Sequence, residues 1–431
     1  MDLLNRSLLN TAGLPVNETW QAQVNIGVAG MRTYGSDIYV CGSYLGFVQL
    51  CKLNSSGEMV WGHSETYRIG GSSFNLVSVG VAANSTGVFV IATTSFFPSV
   101  LLKYDHNGNL LFAINYTYDS FATRFTCIEA NENGVYVAGF RNTRAFAMKL
   151  NNSGGIVWQK RYEFSTSDAI YGMSLDANDS NYIYFCGQMQ NTGLSKTTGT
   201  ILQVNESNGT VSTSREVIVG GNGRLTSIYI ETTDSGLATS VVGFDELSGK
   251  RRGIRTTYLG TEAYRYEHAT DNVNFVSTKH TRYVTGFSTT SPSPVVLWSR
   301  GTTNAYLTVG RFISPFVNPF FKGKQFSASH TPVICEIDPI PAIIYSAYRT
   351  SFDSGLVMKT NIENMLWDNV ASTWGPTTVT DFQEQPGFPI AVANQFVSVT
   401  ATDTAITTST GSVDNRVLVT ASNFNYSNKA V

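Results

Sequence analysis

The sequence holds 431 residues, of which 14% are charged against about a quarter in ordinary soluble domains, and its formal net charge is −2. It has no basic stripe of the kind a nucleic-acid partner requires, and no run of about 18 apolar residues offers a membrane helix. Ser, Thr, Asn and Gly fill the places that Lys and Glu usually occupy, which disfavours long helices and suits strands joined by polar turns.

Residues 1–19 open with "MDLLNRSLLNTAGLP", which has an early acid and no basic segment before an apolar run, so it does not read as a secretory signal. Leu3, Leu4, Leu8 and Leu9 make a short apolar patch, expected to be an arm that docks on neighbouring subunits or packs back on its own ring. From residue 20 onward one clause recurs. It reads "CKLNSSGEMVW" from Cys51, "LKYDHNGNLLF" from Leu102, "MKLNNSGGIVW" from Met148 and "MKTNIENMLW" from Met358.

Each copy divides into four strands. A first strand and a tight Asn/Asp/Gly turn, as in "CIEANENG", lead into a second strand such as "YVCGS" or "GVYVAGF". The third carries a polar marker near its end: Lys52, Lys103, Lys149, Gln203, Thr256, Ser299 and Lys359. These markers lie 43–60 residues apart, in the range of propeller blades, whereas immunoglobulin-like arrays need about 100 residues per unit. The fourth strand ends in an aromatic in the stronger copies: Trp61, Phe112, Trp158 and Trp367. The expected fold is therefore all-β, a seven-bladed β-propeller of four-stranded blades over 20–370. In it the aromatics pack against the next blade and the lysines reach water. Trp20-Gln21 imitates Trp158-Gln159, so an N-terminal strand is a candidate to close the ring, in competition with the strand ending at Trp367.

Two loops stand out. "LSGKRRGIRT" concentrates Arg251 and Arg252, a solvated blade tip or a contact for an acidic partner or glycan. "GRFISPFVNPFFKGK", expected to join copies six and seven, places Phe312, Phe316, Phe320 and Phe321 among prolines, as an interface loop or a plug over one mouth. Residues 371–431 alternate like strands but lack the clause, and read as a small β appendage or assembly arm, or as a segment that packs back on its own ring. The five cysteines are odd in number without a C-x-x-C pair, and Cys41 and Cys186 fall at matching points of two copies, as buried small apolar residues would. The five histidines are scattered over different copies, and neither a nucleophile elbow nor a metal-binding spacing occurs. No catalytic residue, metal or cofactor is expected.

The pattern "YVAGF…KLN..G..VW" resembles the β-propeller repeats of bacterial surface proteins and of bacteriophage tail and virion proteins. The resemblance spans roughly residues 20–370 and is strongest in the first four copies. It implies a non-enzymatic virion component, in a phage tail or tail fibre, made in the host cytoplasm and assembled with other virion subunits through 1–19, 371–431 and the 311–324 loop. Host-surface glycan is a further partner; membrane and nucleic acid are not expected. The competing expectation is a lectin-like propeller, which requires exposed aromatics at equivalent loop positions of several blades.

Overall fold

The computed structural model describes residues 20–281 apart from breaks at 25, 45–46, 70–71, 75–76, 94–98, 119–122, 142, 165, 177–178, 180, 219, 234–235, 257–262 and 267–270. From 293 on it describes the strands named below, and its side chains lie chiefly between 22 and 278. Every regular element among the described residues is a strand.

These strands form seven antiparallel sheets. The first contains Gly27–Tyr34, Asp37–Tyr44, Phe47–Leu53 and Met59–Ile69; the second Val77–Asn84, Gly87–Thr93, Ser99–Tyr104 and Leu110–Tyr118. The third contains Arg124–Asn131, Gly134–Arg141, Arg144–Leu150 and Ile156–Glu163; the fourth Asp168–Leu175, Tyr182–Asn191, Lys196–Asn205 and Val211–Ile218. The fifth contains Asn222–Thr233, Gly236–Leu247, Lys250–Thr256 and Ala263–Tyr266; the sixth Val273–Thr281, Ser293–Arg300, Asn304–Arg311 and Phe320–Ser327. The seventh takes His330–Asp338, Ala342–Arg349 and Ser354–Asn361 from the end of the repeat region and Trp20–Val24 from its start. The first strand of each sheet lies against that of the next, and the seventh returns to the first. The fold is all-β and propeller-like.

The core sits between sheets. Tyr39 and Cys41 face the second sheet with Val81, Val90 and Leu102, while Ile38 and Val40 face the seventh with Ala22, Val24 and Val357. Successive residues of one strand thus serve two neighbours, because strand side chains alternate with a period of two. This is why inner strands read as unbroken apolar runs: all of Gly87–Thr93 is buried. Each of the seven first strands also carries a bulge at the same place, such as Phe125/Cys127, Ile170/Gly172 and Leu225/Ser227. Nothing in the clause announced it.

Strand pairing settles two open readings and corrects one expectation. Trp20–Val24 pairs with Ser354–Asn361, Trp20 opposite Lys359, just as Trp61 faces Lys52 and Trp158 faces Lys149. The N-terminal strand is therefore the fourth strand of the last sheet, and Trp367 lies outside the described residues. In the sixth sheet "VVLWSR" is the second strand, pairing with both Val273–Thr281 and Asn304–Arg311. Ser299 is thus not a third-strand marker; Val309, opposite Val295, occupies the place of Lys149 opposite Tyr136. It follows that the Pro/Phe insertion joins the third and fourth strands of one sheet, not two copies. The sixth copy's first and second strands are eleven residues apart in sequence, between Thr281 and Ser293, where the first three copies have two-residue turns, so the period alone misplaced it.

Of the readings open for 371–431, the described strands follow the one that packs back on the ring. They build no appendage. Ser372–Trp374 forms a hairpin with Thr377–Glu384, which then pairs with the outer strand of the sixth sheet. Ala393–Phe396, Thr400–Asp403, Ile406–Thr410 and Ser412–Leu418 pair antiparallel with the outer strands of the fourth, third, second and first sheets in turn. Ser427–Ala430 pairs with Trp20–Val24 in the seventh. The segment runs backward around the ring as a belt. Sheet twist of about 20–25° per strand turns the fourth strand roughly 60–75° from the first, toward the circumference. A chain following the rim can therefore meet one outer strand after another, and these four belt strands begin at 393, 400, 406 and 412. The outer strands become internal to their sheets, and the edges left in the first to fourth and seventh sheets are belt strands of only four to seven residues, too short to template association well.

Candidate recognition surface

The repeated clause builds a latch between neighbouring sheets. Trp61 Nε1 donates to the carbonyl of His106 at 3.1 Å, and Trp158 Nε1 to that of Glu206 at 2.8 Å. Lys103 Nζ donates to the carbonyl of Asn152 at 2.8 Å. His106, Asn152 and Glu206 are each the second residue of the next sheet's third-to-fourth turn, which begins Asp105, Asn151 or Asn205. The turn glycine also faces the preceding sheet. Gly108, Gly154 and Gly209 have φ of 85°, 82° and 69°. A β-carbon on them would lie 2.9 Å from Trp61, 2.5 Å from Ile114 and 2.7 Å from Trp158, respectively. Tyr116 and Tyr162 hydroxyls then donate to the carbonyls of Gly154 and Gly209 at 2.7 and 2.9 Å. Lys or the closing aromatic of one clause meets the next clause's turn, which runs from Asp or Asn to Gly.

The lysines are consequently not solvated, which corrects the expectation from sequence. Lys103 is 7% exposed, and burial lowers its pKa from the ordinary value. Lys52 pairs with Asp37 at 2.7 Å and Lys149 with Glu206 at 2.6 Å, each with about an eighth of its side chain exposed. Each latch has its own chemistry. Tyr39 hydroxyl bonds His106 Nδ1 at 2.8 Å, and Tyr136 hydroxyl bonds Glu206. Phe89 has no hydroxyl, and there Asn152 Oδ1 accepts from Asn84 at 2.9 Å instead. Two histidines remote in sequence meet in the first latch: His63 lies 5.1 Å from the Trp61 ring, and His106 stacks on Tyr34 at 5.2 Å.

Phe112 packs at the edge of the core between the second and third sheets. Lys359 lies on the third strand of the seventh sheet. Phe312 and Phe316 lie outside the described residues. Phe320 and Phe321 belong to the fourth strand of the sixth sheet, opposite Arg311 and Gly310, and Phe321 also faces Glu384 of the belt. Arg252 is buried and ion-paired with Asp245, so it is no contact for an external partner. Arg251 is exposed, near Glu246 at 3.1 Å and over the Phe244 ring at 4.8 Å. The four described cysteines are free; Cys41, Cys51 and Cys186 are buried. Among the described residues no group of three or more His, Cys, Asp or Glu is placed to hold a metal.

The opposite ends of the strands carry an array that sequence reasoning missed. Arg124 and Arg224 each stand one residue before the bulge in the first strands of the third and fifth sheets, opposite Phe140 and Phe244 on the second strands. The registers make these two Arg–Phe pairs equivalent. Between them, on the fourth sheet, stand Tyr171 at the bulge and Gln188 in the place equivalent to Phe140. Arg124 lies 5.7 Å from the Phe140 ring, and Phe140 lies 6.1 Å from Tyr171. Arg224 lies 4.4 Å from the Tyr171 ring and 5.7 Å from Phe244, and donates to Gln188 Oε1 at 2.8 Å. Burial raises the Tyr171 pKa, opposed by the charges of Arg224 and Arg124. The signal was present as "RFT" and "RLT" near the start of two copies, but only the ladder register sets each arginine beside a phenylalanine sixteen or twenty residues on.

No protein-family model matches this sequence, and no curated protein sequence does. Among solved structures, a chain from "Drosophila Plexin A in complex with Semaphorin 1b" is similar with a TM-score of 0.48 at 8% identity, covering 79% of this chain and 88% of that one. The extracellular domains 1–2 of Drosophila Semaphorin 1b give 0.47 at 8% identity, over 79% and 88% of the two chains. Those of Drosophila Semaphorin 1a give 0.46 at 8%, over 77% and 85%. Likenesses at this level support no inference about function; the fold rests on the strand pairing.

Proposed function

We propose that the chain is a seven-bladed β-propeller serving as a non-enzymatic scaffold, a structural or adsorption component of a virion in a bacteriophage tail or tail fibre. The observation that carries this reading is the belt: six of the seven sheets have their outer strand covered by the chain's own C-terminal segment. A ring with its rim occupied displays its two faces while its outer strands resist uncontrolled pairing. Latches between consecutive sheets add rigidity, and the low charge and the repeat resemblance point the same way. Neighbouring subunits would be held through 1–19 and the 311–324 connection, while the C-terminal segment serves its own ring.

The test has two parts. Particles purified from the producing culture are examined by mass spectrometry and by immunogold labelling; the chain is expected in them, at one appendage. Light scattering then compares the full chain with one ending at Val370. The shortened ring, its outer strands bare, is expected to self-associate. Absence from particles overturns the virion reading. A shortened ring that stays monodisperse and equally stable overturns the role given to the belt.

A further inference from the structure

We infer that the face formed by Arg124, Phe140, Tyr171, Arg224 and Phe244, extended at one end by Arg251, binds a carboxylate-bearing glycan. Guanidinium and aromatic groups follow one another along it in the order Arg124, Phe140, Tyr171, Arg224, Phe244 and Arg251, through contacts of 4.4–6.1 Å, from the third sheet to the fifth. Arg124 is exposed, and Phe140, Tyr171, Arg224 and Phe244 are each partly exposed. Among the described residues no carboxylate pairs with Arg124 or Arg224; the ion pairs of this region go to Arg251 and Arg252.

The chemistry follows from those groups. A planar guanidinium presents paired donors that match a carboxylate in a two-pronged fork. Aromatic faces cover the C–H side of a pyranose ring, and a cation already stacked on an aromatic is held in place before the ligand arrives. Equivalent Arg–Phe pairs two sheets apart, with a tyrosine between them, suit a ligand whose charges also recur at sugar spacing. A nucleic acid fits less well. Its phosphates form a continuous line of charge, and Glu246 lies beside Arg251 at the end of the array. Phe140 and Phe244, half-buried on the second strands of two sheets, meet only part of the lectin-like expectation, which asked for exposed aromatics at equivalent loop positions of several blades.

The inference deepens the reading of the ring as an attachment scaffold, and the two fail separately. A ring found in particles that binds no acidic glycan sinks only the inference; glycan binding by a chain absent from particles sinks only the virion reading. Calorimetry on the full chain uses hyaluronan decasaccharide, oligoalginate and oligosialic acid as probes, with dextran and a 20-nucleotide oligothymidylate as controls. Binding to at least one acidic glycan, weakened tenfold or more by Arg224→Ala and by Arg124→Ala, is expected. Arg224→Lys should recover little of it, because an ammonium cannot make the fork. Circular dichroism of each variant establishes that the ring is intact, and the exposed Arg124 makes that variant the safer of the two. No binding to any of the three glycans, unaltered binding in intact variants, or equal affinity for oligothymidylate overturns the proposal.

Discussion

Glu206 joins the third and fourth sheets, and Glu206→Gln isolates what its charge contributes. Its carboxylate accepts from Lys149 at 2.6 Å and from the Tyr136 hydroxyl, and both ion-pair partners have side chains only 12% exposed. A hydrogen bond to a charged group contributes about 1.5–3 kcal/mol, and breaking a buried pair from one side costs about 3–5. Glutamine keeps the volume and one acceptor, so a loss of about 2–3 kcal/mol is expected. If all 431 residues unfold together, the unfolding entropy is about 0.9 kcal/mol/K and the melting temperature falls by about 2–3 °C. If a unit of about 100 residues, two adjacent sheets, unfolds by itself, the same loss is worth on the order of 10 °C. Calorimetry therefore reports the size of the cooperative unit as well as the strength of the latch. Urea denaturation of Lys149→Met, Glu206→Gln and the double variant completes the cycle. A coupling of at least about 1 kcal/mol is expected. Singles that cost under about 0.5 kcal/mol, or a double that is additive, would refute the latch as an energetic contact.

Trp61→Phe and Trp158→Phe keep the ring but lose the indole N–H to His106 and Glu206 carbonyls, and each should cost about 0.5–1.5 kcal/mol in urea midpoints; no loss would make the tryptophans mere filling. Gly154→Ala should destabilise more than Gly35→Ala. Both have positive φ, at 82° and 59°, which costs alanine about 1–2 kcal/mol, but only at Gly154 does the new carbon strike a neighbour, Ile114. Equal losses in thermal melts would show that the clash is relieved at no cost. Burial pushes the Cys51 and Cys127 thiols up to about 12, and raises those of Cys41 and Cys186 further. None of these four should react with Ellman's reagent at neutral pH until urea unfolds the chain. The sign of the linkage is that unfolded thiols ionise first. Their contribution is complete below about pH 8.5 and is lost as pH rises toward 12, so denaturant midpoints should fall across that window.

The strand content, the clause and its period were legible because each strand writes its own pattern: alternation, a polar turn, and an aromatic at a fixed place. The roles of Lys149 and Trp158 were legible only in part. Sequence placed Trp158 at a boundary between repeats, but what Lys149 meets is Glu206, and no local rule relates residues that far apart. The array is the extreme case: Arg124, Tyr171 and Arg224 become one surface only through the register of three sheets.

By itself, then, the sequence determined the all-β class, the repeating unit and the polar turns, since these depend on contacts within a few residues. Tertiary structure decided which strand closes the ring, where the sixth copy turns, and that the described strands after residue 371 form a belt. Strand pairing is made by backbone groups that every residue carries, so the choice of partner falls to packing and twist across the whole ring.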